Sequence, residues 1–214
     1  KCRWFIAAAV AFAPMSAIAG DLTVTVRDKA GRAVPDAVVM VYPAAGVPAG
    51  PIRFAWANTM VQRNIAFDPF VLVVPVGASV SFPNLDKVRH HVYSFSPGNK
   101  FELKLYGRDQ SHSVTFRTAG VVAVGCNIHD QMAAFIRVVD TPFALKTGAS
   151  GAAQIRGIPA GAATVRIYQP YLRAPKNEVA VTAQIPASGT LALAHTVDMR
   201  APALHAFDPA TGRD

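Results

Sequence analysis

Apolar and polar residues alternate along most of the chain beyond position 20. Residues 21–42 alternate with a period of two, break at 29–32 and resume, which predicts a strand, a turn and a second strand. Further short runs follow up to the segment 133–142, and Gly, Pro or a polar cluster ends each of them. No stretch predicts an amphipathic helix of convincing length. Short strands with regular turn signals predict an all-β fold, either a sandwich or a barrel.

A second group of alternating runs begins after residue 142. Residues 147–171 combine a Gly-rich turn, a strand, the turn 158–161 and another strand, and two more strands are predicted before residue 200. The Pro/Gly-rich stretch 43–51 is a connection, and the end of the chain has no period. About seventy residues suffice for a second, small all-β module that leans on the first.

The N-terminus has the pattern of a secretory signal peptide. Lys1 and Arg3 precede an apolar run, and a small-residue site at 17–19 ends it. This pattern predicts cleavage after Ala19 and export, most simply to a bacterial periplasm. The apolar run is too short to span a membrane, and no later stretch is apolar enough to do so. Because Cys2 stands before the apolar run, no lipid anchor is expected.

The chain is basic, with a formal net charge of +8. Removal of the signal peptide lowers the charge to +6, because that segment carries two basic and no acidic residues. A basic exported protein favours acidic partners or an anionic membrane surface, with a larger effect on encounter rate than on affinity. A solvated surface explains the charge equally well. No basic-aromatic cluster indicates nucleic acid as a partner.

Cys126 is the only cysteine that remains after this cleavage. A disulfide within the chain is then excluded, and a lone thiol in an oxidising compartment is buried, paired with another chain or bound to a metal. His129 and Met132 follow it at three-residue steps. On a helix, side chains six positions apart point in directions that differ by roughly 240°. On a strand, residues three positions apart point to opposite faces. Only a compact loop between two strands therefore gathers all three side chains.

A thiolate, a thioether and an imidazole form a soft set of donors, which favours copper. Two histidines and a cysteine with a long axial methionine bond make the blue-copper electron-transfer site. The loop lacks one of these histidines, and the segment 82–95 supplies it. His90 and His91 open a predicted strand after a Pro-Asn loop, so one of their imidazoles is expected at the same centre.

The segments 82–84 and 90–92 and the loop 126–132 together resemble the cupredoxins, and the loop is most similar to that of amicyanin and its plastocyanin-like relatives. Residues 60–143 resemble exported plastocyanin-like proteins that are often labelled methylamine utilization proteins. The resemblance implies a Greek-key β-sandwich and one type 1 copper ion. It also implies four metal ligands: His90, Cys126 and His129 in equatorial positions and Met132 in the axial position.

His91 stands where the family usually has an asparagine. Taking His91 as the ligand would instead align Phe95 with a family phenylalanine. We favour His90 and place His91 beside the site or on the surface. Three other histidines are isolated in the sequence: His112, His195 and His205. They are expected to be solvated or hydrogen-bonded and not to bind the metal.

The segment 147–171 resembles the carboxypeptidase-regulatory-like β-sandwich, although Ala163 stands where that family tends to have an aromatic residue. The start of the exported chain has a similar pattern, and neither segment brings any chemistry. The predicted organisation is a signal peptide at 1–19, an N-terminal β-hairpin or partial β module at 20–58, a cupredoxin domain at 59–141, a carboxypeptidase-regulatory-like β module at 142–200 and a tail at 201–214.

The cupredoxin resemblance implies a one-electron carrier and not an enzyme, because protein atoms would fill all coordination positions. His129 would be the exposed ligand through which electrons leave. The expected partners are periplasmic redox proteins such as a cytochrome or a dehydrogenase, and the chain is expected to be a monomer. No transmembrane segment is expected in the exported chain.

Two other functions use the same residues. A copper-delivery module is the main alternative, although such proteins often use several methionines and only Met132 lies near the predicted site. A thiol enzyme would use Cys126 as nucleophile and His129 as base, but it needs an orienting third group and an oxyanion site, and Asp130 alone does not supply them. A c-type haem is excluded because Cys-x-x-Cys-His is absent.

Overall fold

The computed structural model describes residues 18–201. Residues 1–17 of the predicted signal peptide and residues 202–214 of the predicted tail, which include His205, lie outside the described residues. The described part is built of strands with one short 3-10 helix, Pro175–Asn177. None of its helices has both the length and the apolar character needed to cross a membrane. The predicted all-β class is confirmed.

The strands are β1 Ala19–Asp28, β2 Val38–Pro43, β3 Val61–Arg63, β4 Ala66–Asp68, β5 Val71–Pro75, β6 Ser79–Pro83, β7 His90–Ser94, β8 Phe101–Tyr106, β9 Ser111–Thr115, β10 Gly120–Gly125, β11 Ala133–Val139, β12 Ala144–Lys146, β13 Ala152–Pro159, β14 Gly161–Tyr168, β15 Glu178–Ile185 and β16 Thr190–Val197. Period-two alternation underlies most of them. In β1, for example, Leu22, Val24 and Val26 are fully buried and the residues between them are half-buried.

The first sandwich is built around a five-stranded sheet in the order β5-β11-β10-β7-β8. β11 runs parallel to β5, and the other neighbours are antiparallel. The two-stranded sheets β6-β9 and β3-β4 supply further apolar side chains to the same core. Phe82, Val92, Phe116 and Ile136 are among its fully buried members.

The second sandwich joins the two ends of the described chain. One sheet has the order β13-β1-β16, and the other has the order β12-β2-β14-β15. Its core contains Leu22 and Val39 from the N-terminal segment and Val165 and Ile167 from β14. β1 lies antiparallel to β13 from Ala19 to Thr25 and parallel to β16 from Asp21 to Asp28.

The N-terminal strands do not form the expected hairpin with each other. β1 is paired on both sides by β13 and β16, whereas β2 lies between β12 and β14 in the other sheet. Around the turn after β1, an isolated bridge links Arg27 to Ala33, and the Val34 N–H donates to the carbonyl of Val26 at 3.1 Å. The N-terminal segment therefore contributes one strand to each sheet of the second sandwich, and both strands pair with strands far along the chain.

The two sandwiches meet at a third apolar cluster. Val38, Met40 and Tyr168 of the second sandwich pack against Val71 and Val73 of β5. The second sandwich thereby covers part of the outer face of the five-stranded sheet, on its β5 and β11 side. In the loop between β10 and β11, Asn127, Ile128 and Asp130 are exposed.

Candidate metal centre

Three potential metal ligands converge at one end of the first sandwich. The Nδ1 atoms of His90 and His129 lie 3.2 Å apart, and the Cys126 Sγ lies 3.9 and 3.8 Å from them, respectively. All three ligand atoms lie within 4.8 Å of one another. Metal–nitrogen bonds of ~2.0 Å and a metal–sulfur bond of ~2.3 Å separate such donors by roughly 3 to 4 Å. The spacing therefore suits one shared ion.

Two strand ends and one short loop bring these groups together. His90 opens β7, and Cys126 directly follows β10. The ladder between β10 and β11 runs to Gly125 and Ala133, so residues 126–132 form the hairpin loop. Within this loop, backbone hydrogen bonds fix the turn. The Cys126 N–H donates to the carbonyl of Met132 at 3.2 Å, and the Met132 N–H donates to the carbonyl of His129 at 2.9 Å.

The donors lie at the border between the core and the surface. His90 is fully buried and Cys126 is 4% exposed, whereas His129 is half-buried. Met132 is buried in the same apolar core as Cys126. Ile128, which precedes His129 in the loop, is 48% exposed. The arrangement shields the thiol from water and leaves one imidazole near the surface.

The adjacent histidine has a different environment. His91 lies within 2.9 Å of the Glu102 Oε1 through its Nε2, and its ring lies 5.5 Å from that of Tyr93. Because neighbouring residues on a strand point to opposite faces, His91 faces away from the cluster that His90 joins. The other described histidines lie elsewhere. His112 packs edge-on against Tyr106, and His195 belongs to β16 of the second sandwich.

An aspartate that the sequence analysis did not single out holds the buried imidazole. The His90 Nε2–H donates to the Asp86 Oδ2 at 2.8 Å. The same carboxylate accepts backbone N–H bonds from Asn64 at 2.6 Å and Ile65 at 3.0 Å. Both donors have φ of +55°, so the β3–β4 turn presents two successive N–H groups to one anion. An acidic residue four positions before a candidate histidine ligand is the sequence signal for this contact.

Asn84 fixes the loop that carries Asp86. Its side-chain amide donates to the carbonyls of Val88 at 2.9 Å and Tyr106 at 3.1 Å, and its Oδ1 accepts the Asp86 N–H at 2.9 Å. Asn84 is fully buried. A polar side chain that satisfies three backbone groups inside a core holds one loop conformation. The support for His90 therefore extends through two layers of hydrogen bonds.

Burial, together with the neighbouring charges, favours the neutral form of the His129 imidazole. Burial, followed by repulsion from His90, lowers the pKa of His129, and attraction to Asp86 only partly opposes this. Burial acts to raise the pKa of Asp86, but the hydrogen bonds from His90, Ile65 and Asn64 together keep this pKa below its usual value. A neutral imidazole binds a metal through its free nitrogen, so both shifts favour metal binding.

No protein-family model matches the chain, and no curated protein matches it. Similar solved structures include a purple cupredoxin from Nitrosopumilus maritimus, 22% identical with a TM-score of 0.35 over 38% of this chain and 98% of that one. A reduced tryptophan-to-tyrosine mutant of amicyanin is 22% identical, with a TM-score of 0.37 over 49% and 99% of the two chains. The copper-containing nitrite reductase from Thermus scotoductus SA-01 is 26% identical, with a TM-score of 0.38, over 44% of this chain and only 25% of its own.

TM-scores this low support no functional conclusion, so function is inferred from the side chains. Two imidazoles and one thiol are borderline-to-soft donors, which suit copper, zinc or iron better than calcium or magnesium. The fully buried His90, the nearly buried Cys126 and the half-buried His129 form a group that is able to hold a metal ion.

Proposed function

We propose that the protein is an exported type 1 copper protein that carries one electron at a time between redox partners. The convergence of the two Nδ1 atoms and the Cys126 Sγ within 4.8 Å carries this proposal. His90, Cys126 and His129 would be the equatorial ligands. Met132, buried in the same core, would be the axial ligand. The copper ion would supply the Cu(I)/Cu(II) couple.

The surroundings suit a carrier better than a catalyst. Asp86 and the closed loop 126–132 hold the donors before any ion binds, which keeps rearrangement small when the charge of the ion changes. Four protein ligands leave no coordination position for a substrate. His129 is the least buried of the three converging ligands, and it would connect the centre to the surface.

The remaining parts of the proposal concern the setting of the site. The signal-peptide pattern supports a periplasmic location, where a cytochrome or a dehydrogenase would be a suitable partner, and the chain would act as a monomer. The relation to methylamine utilization stays a prediction. We also propose that residues 19–43 and 144–197 form one supporting module without chemistry, because their strands share two sheets and one core.

Redox cycling of the copper-loaded full chain tests the function. We expect ascorbate to deliver one electron per bound copper, and an oxidant to recover the starting state over repeated cycles without loss of the ion. A delivery protein would instead release Cu(I) rapidly to a chelator and would not cycle. Rapid release without reversible cycling would overturn the carrier proposal.

A further inference from the structure

A cleft lies at the junction between the two sandwiches. Its volume is about 610 Å³. Ligand sites usually have roughly 300 to 1,000 Å³ and occur preferentially between domains. β10 and β11 contribute to one wall, and β2, β14 and β15 contribute to the other. The charged side chains of the lining are Arg137, Asp140, Arg166, Lys176 and Glu178. The cleft therefore has the size and the position of a small-molecule site.

Glu178 is shared by two of these cations. It accepts a hydrogen bond from the Nη2 of Arg137 at 2.6 Å. The Nη1 of Arg166 lies 3.6 Å from its other oxygen, which is too long for a normal hydrogen bond. The buried Nε of Arg137 has no hydrogen-bond partner within residues 18–201. One carboxylate thus faces two guanidinium groups and satisfies neither of them completely.

Arg166 offers free donors to a ligand. Its guanidinium lies over the ring of Tyr42, with the Cζ 5.1 Å from the ring centroid, and such stacking orients the guanidinium plane. The side chain is 48% exposed, so water reaches it. Between residues 18 and 201, no acceptor takes a hydrogen bond from its N–H groups. Arg166 is therefore a positioned cation whose donors are available to an anion from solution.

Lys176 is a second available cation. It is exposed and lies in the short 3-10 helix. Hydrogen bonds hold the backbone beside it: the Gln169 N–H donates to the Asn177 carbonyl at 3.1 Å, and the Asn177 side chain donates to the Pro170 carbonyl. No acidic side chain within residues 18–201 pairs with the Lys176 ammonium group. A fixed turn thus presents an unpaired lysine to the cleft.

The acids of the lining do not balance its cations. Asp140 and Glu178 oppose three positive charges, and the Asp140 Oδ1 already accepts a hydrogen bond from the Tyr42 hydroxyl at 2.7 Å. Burial raises the pKa of Tyr42 above its usual value, with a further contribution from that hydrogen bond, so the phenol adds no negative charge. One positive charge remains unmatched at neutral pH, which favours a ligand with a single negative charge.

We propose that this cleft binds a small organic carboxylate with a flat apolar body. The carboxylate pairs with Arg166 and Lys176, and the apolar body lies against Val121 and Phe135, two half-buried side chains of the first sandwich. Such a ligand fits both the unmatched charge and the mixed polar and apolar lining. Binding is non-covalent, so no bond breaks and no electron moves.

This inference does not rest on the proposed function. Gly120 lines the cleft, and Gly125 precedes Cys126 at the other end of β10. The length of the strand separates the two glycines by roughly 17 Å. Copper-free protein therefore serves for the test, and failure of this site would leave the proposed copper centre untouched.

Titration of the copper-free full chain with hydrocinnamate, followed by the backbone amide signals in NMR spectra at low ionic strength, tests the site. Hydrocinnamamide has the same shape without the charge, and acetate has the charge without the ring. Lys176→Gln removes a cation from the cleft. Lys104→Gln is the matched control on β8, because that lysine is also exposed and has no acidic partner in the described part of the chain. Ala119→Asp adds a negative charge to the lining, and Ala192→Asp adds one at an exposed position on β16.

We expect the shifts caused by hydrocinnamate to saturate and to concentrate at residues that line the cleft, such as Val121 and Arg137. Lys176→Gln should weaken the affinity about threefold, as expected for one exposed charge pair. Hydrocinnamamide and acetate should each bind at least about tenfold more weakly than hydrocinnamate, because each lacks one part of the contacts. Ala119→Asp should weaken binding by repulsion, whereas Lys104→Gln and Ala192→Asp should bind like the unaltered protein.

Four results would overturn the inference. Equal affinity for hydrocinnamate and hydrocinnamamide would show that the cleft does not recognise a carboxylate. Equal affinity for hydrocinnamate and acetate would show that it does not recognise an apolar body. Equal weakening by the two lysine variants would show an effect of net charge only. Shifts that spread over the surface without saturation would show that the cleft is not a binding site.

Discussion

The Asp86 carboxylate lies 2.8 Å from the Nε2 of His90, and this contact leaves Nδ1 as the nitrogen that faces Cys126 and His129. An ionised carboxylate only accepts hydrogen bonds, so the proton of the neutral ring stays on Nε2. The lone pair of Nδ1 is then free for an ion. A residue four positions before the histidine thereby sets the tautomer that a metal needs.

Asp86→Asn should weaken copper binding by about 10- to 100-fold, the usual effect of losing a group that orients a metal ligand. The amide keeps the shape of the side chain but accepts more weakly from His90 and from the β3–β4 turn. Competition with a chromophoric chelator measures the affinity. Asp109→Asn is the matched control, because that side chain is 78% exposed and its carboxylate contacts only Arg108, at 3.7 Å. Equal affinities for both variants would contradict the assigned role.

His90→Gln should abolish the blue absorption of the copper-loaded chain, and His91→Gln should preserve it. The reason is that only the His90 ring joins the cluster, whereas His91 contacts Glu102 on the opposite face of the strand. Visible spectra of the two variants at equal copper loading make the comparison. Loss of the blue absorption in His91→Gln alone would show that His91, and not His90, is the metal ligand.

Strand positions were predictable from the sequence because burial follows the period-two pattern directly. β1 and β10 alternate as the pattern requires, and glycine and proline mark several turns between strands. The loop 126–132 was predictable for a similar reason, since the spacing of Cys126, His129 and Met132 fits neither a helix nor a strand. Local geometry sufficed for both of these conclusions.

Contacts between distant segments were not predictable in this way. Asp86 reaches His90 in a pocket that the backbone of Asn64 and Ile65 completes, and the turn that carries these residues has positive φ at an isoleucine, which is rare for a β-branched residue. The parallel pairing of β1 with β16 joins residues almost 170 positions apart, such as Asp21 and Thr190. Nothing in an alternating pattern specifies which strand becomes its neighbour.

Glu178→Gln should destabilise the protein by about 2 kcal/mol, because Arg137 would keep its charge with a weaker partner in a nearly buried position. The two side chains are 11% and 19% exposed, and their closest atoms are 2.6 Å apart. The pair joins β11 of the first sandwich to β15 of the second. Urea unfolding measures the change.

Glu102→Gln is the matched control for Glu178→Gln. Its side chain is 60% exposed and contacts His91, so the expected change in the free energy of unfolding is below about 1 kcal/mol. Equal effects of both substitutions would show that the contact between Arg137 and Glu178 does not stabilise the junction.

Gly151→Ala should destabilise the second sandwich by about 2 kcal/mol or more. Gly151 has a φ of +75°, and a Cβ there would lie 2.5 Å from the carbonyl oxygen of Val26 in β1. Gly148→Ala provides the control, since nothing lies within 4 Å of its added methyl group and it needs no positive φ. Thermal unfolding distinguishes them, and equal melting temperatures would contradict the packing of β1 against this turn.

The visible absorption spectrum of the chain after addition of Cu(II), recorded beside a Cys126→Ser variant, tests the central claim most directly. The buried thiol between His90 and His129 predicts an intense blue band that ascorbate bleaches and that the variant lacks. A colourless copper complex, or a band that persists in Cys126→Ser, would contradict a thiolate-bound copper centre in this protein.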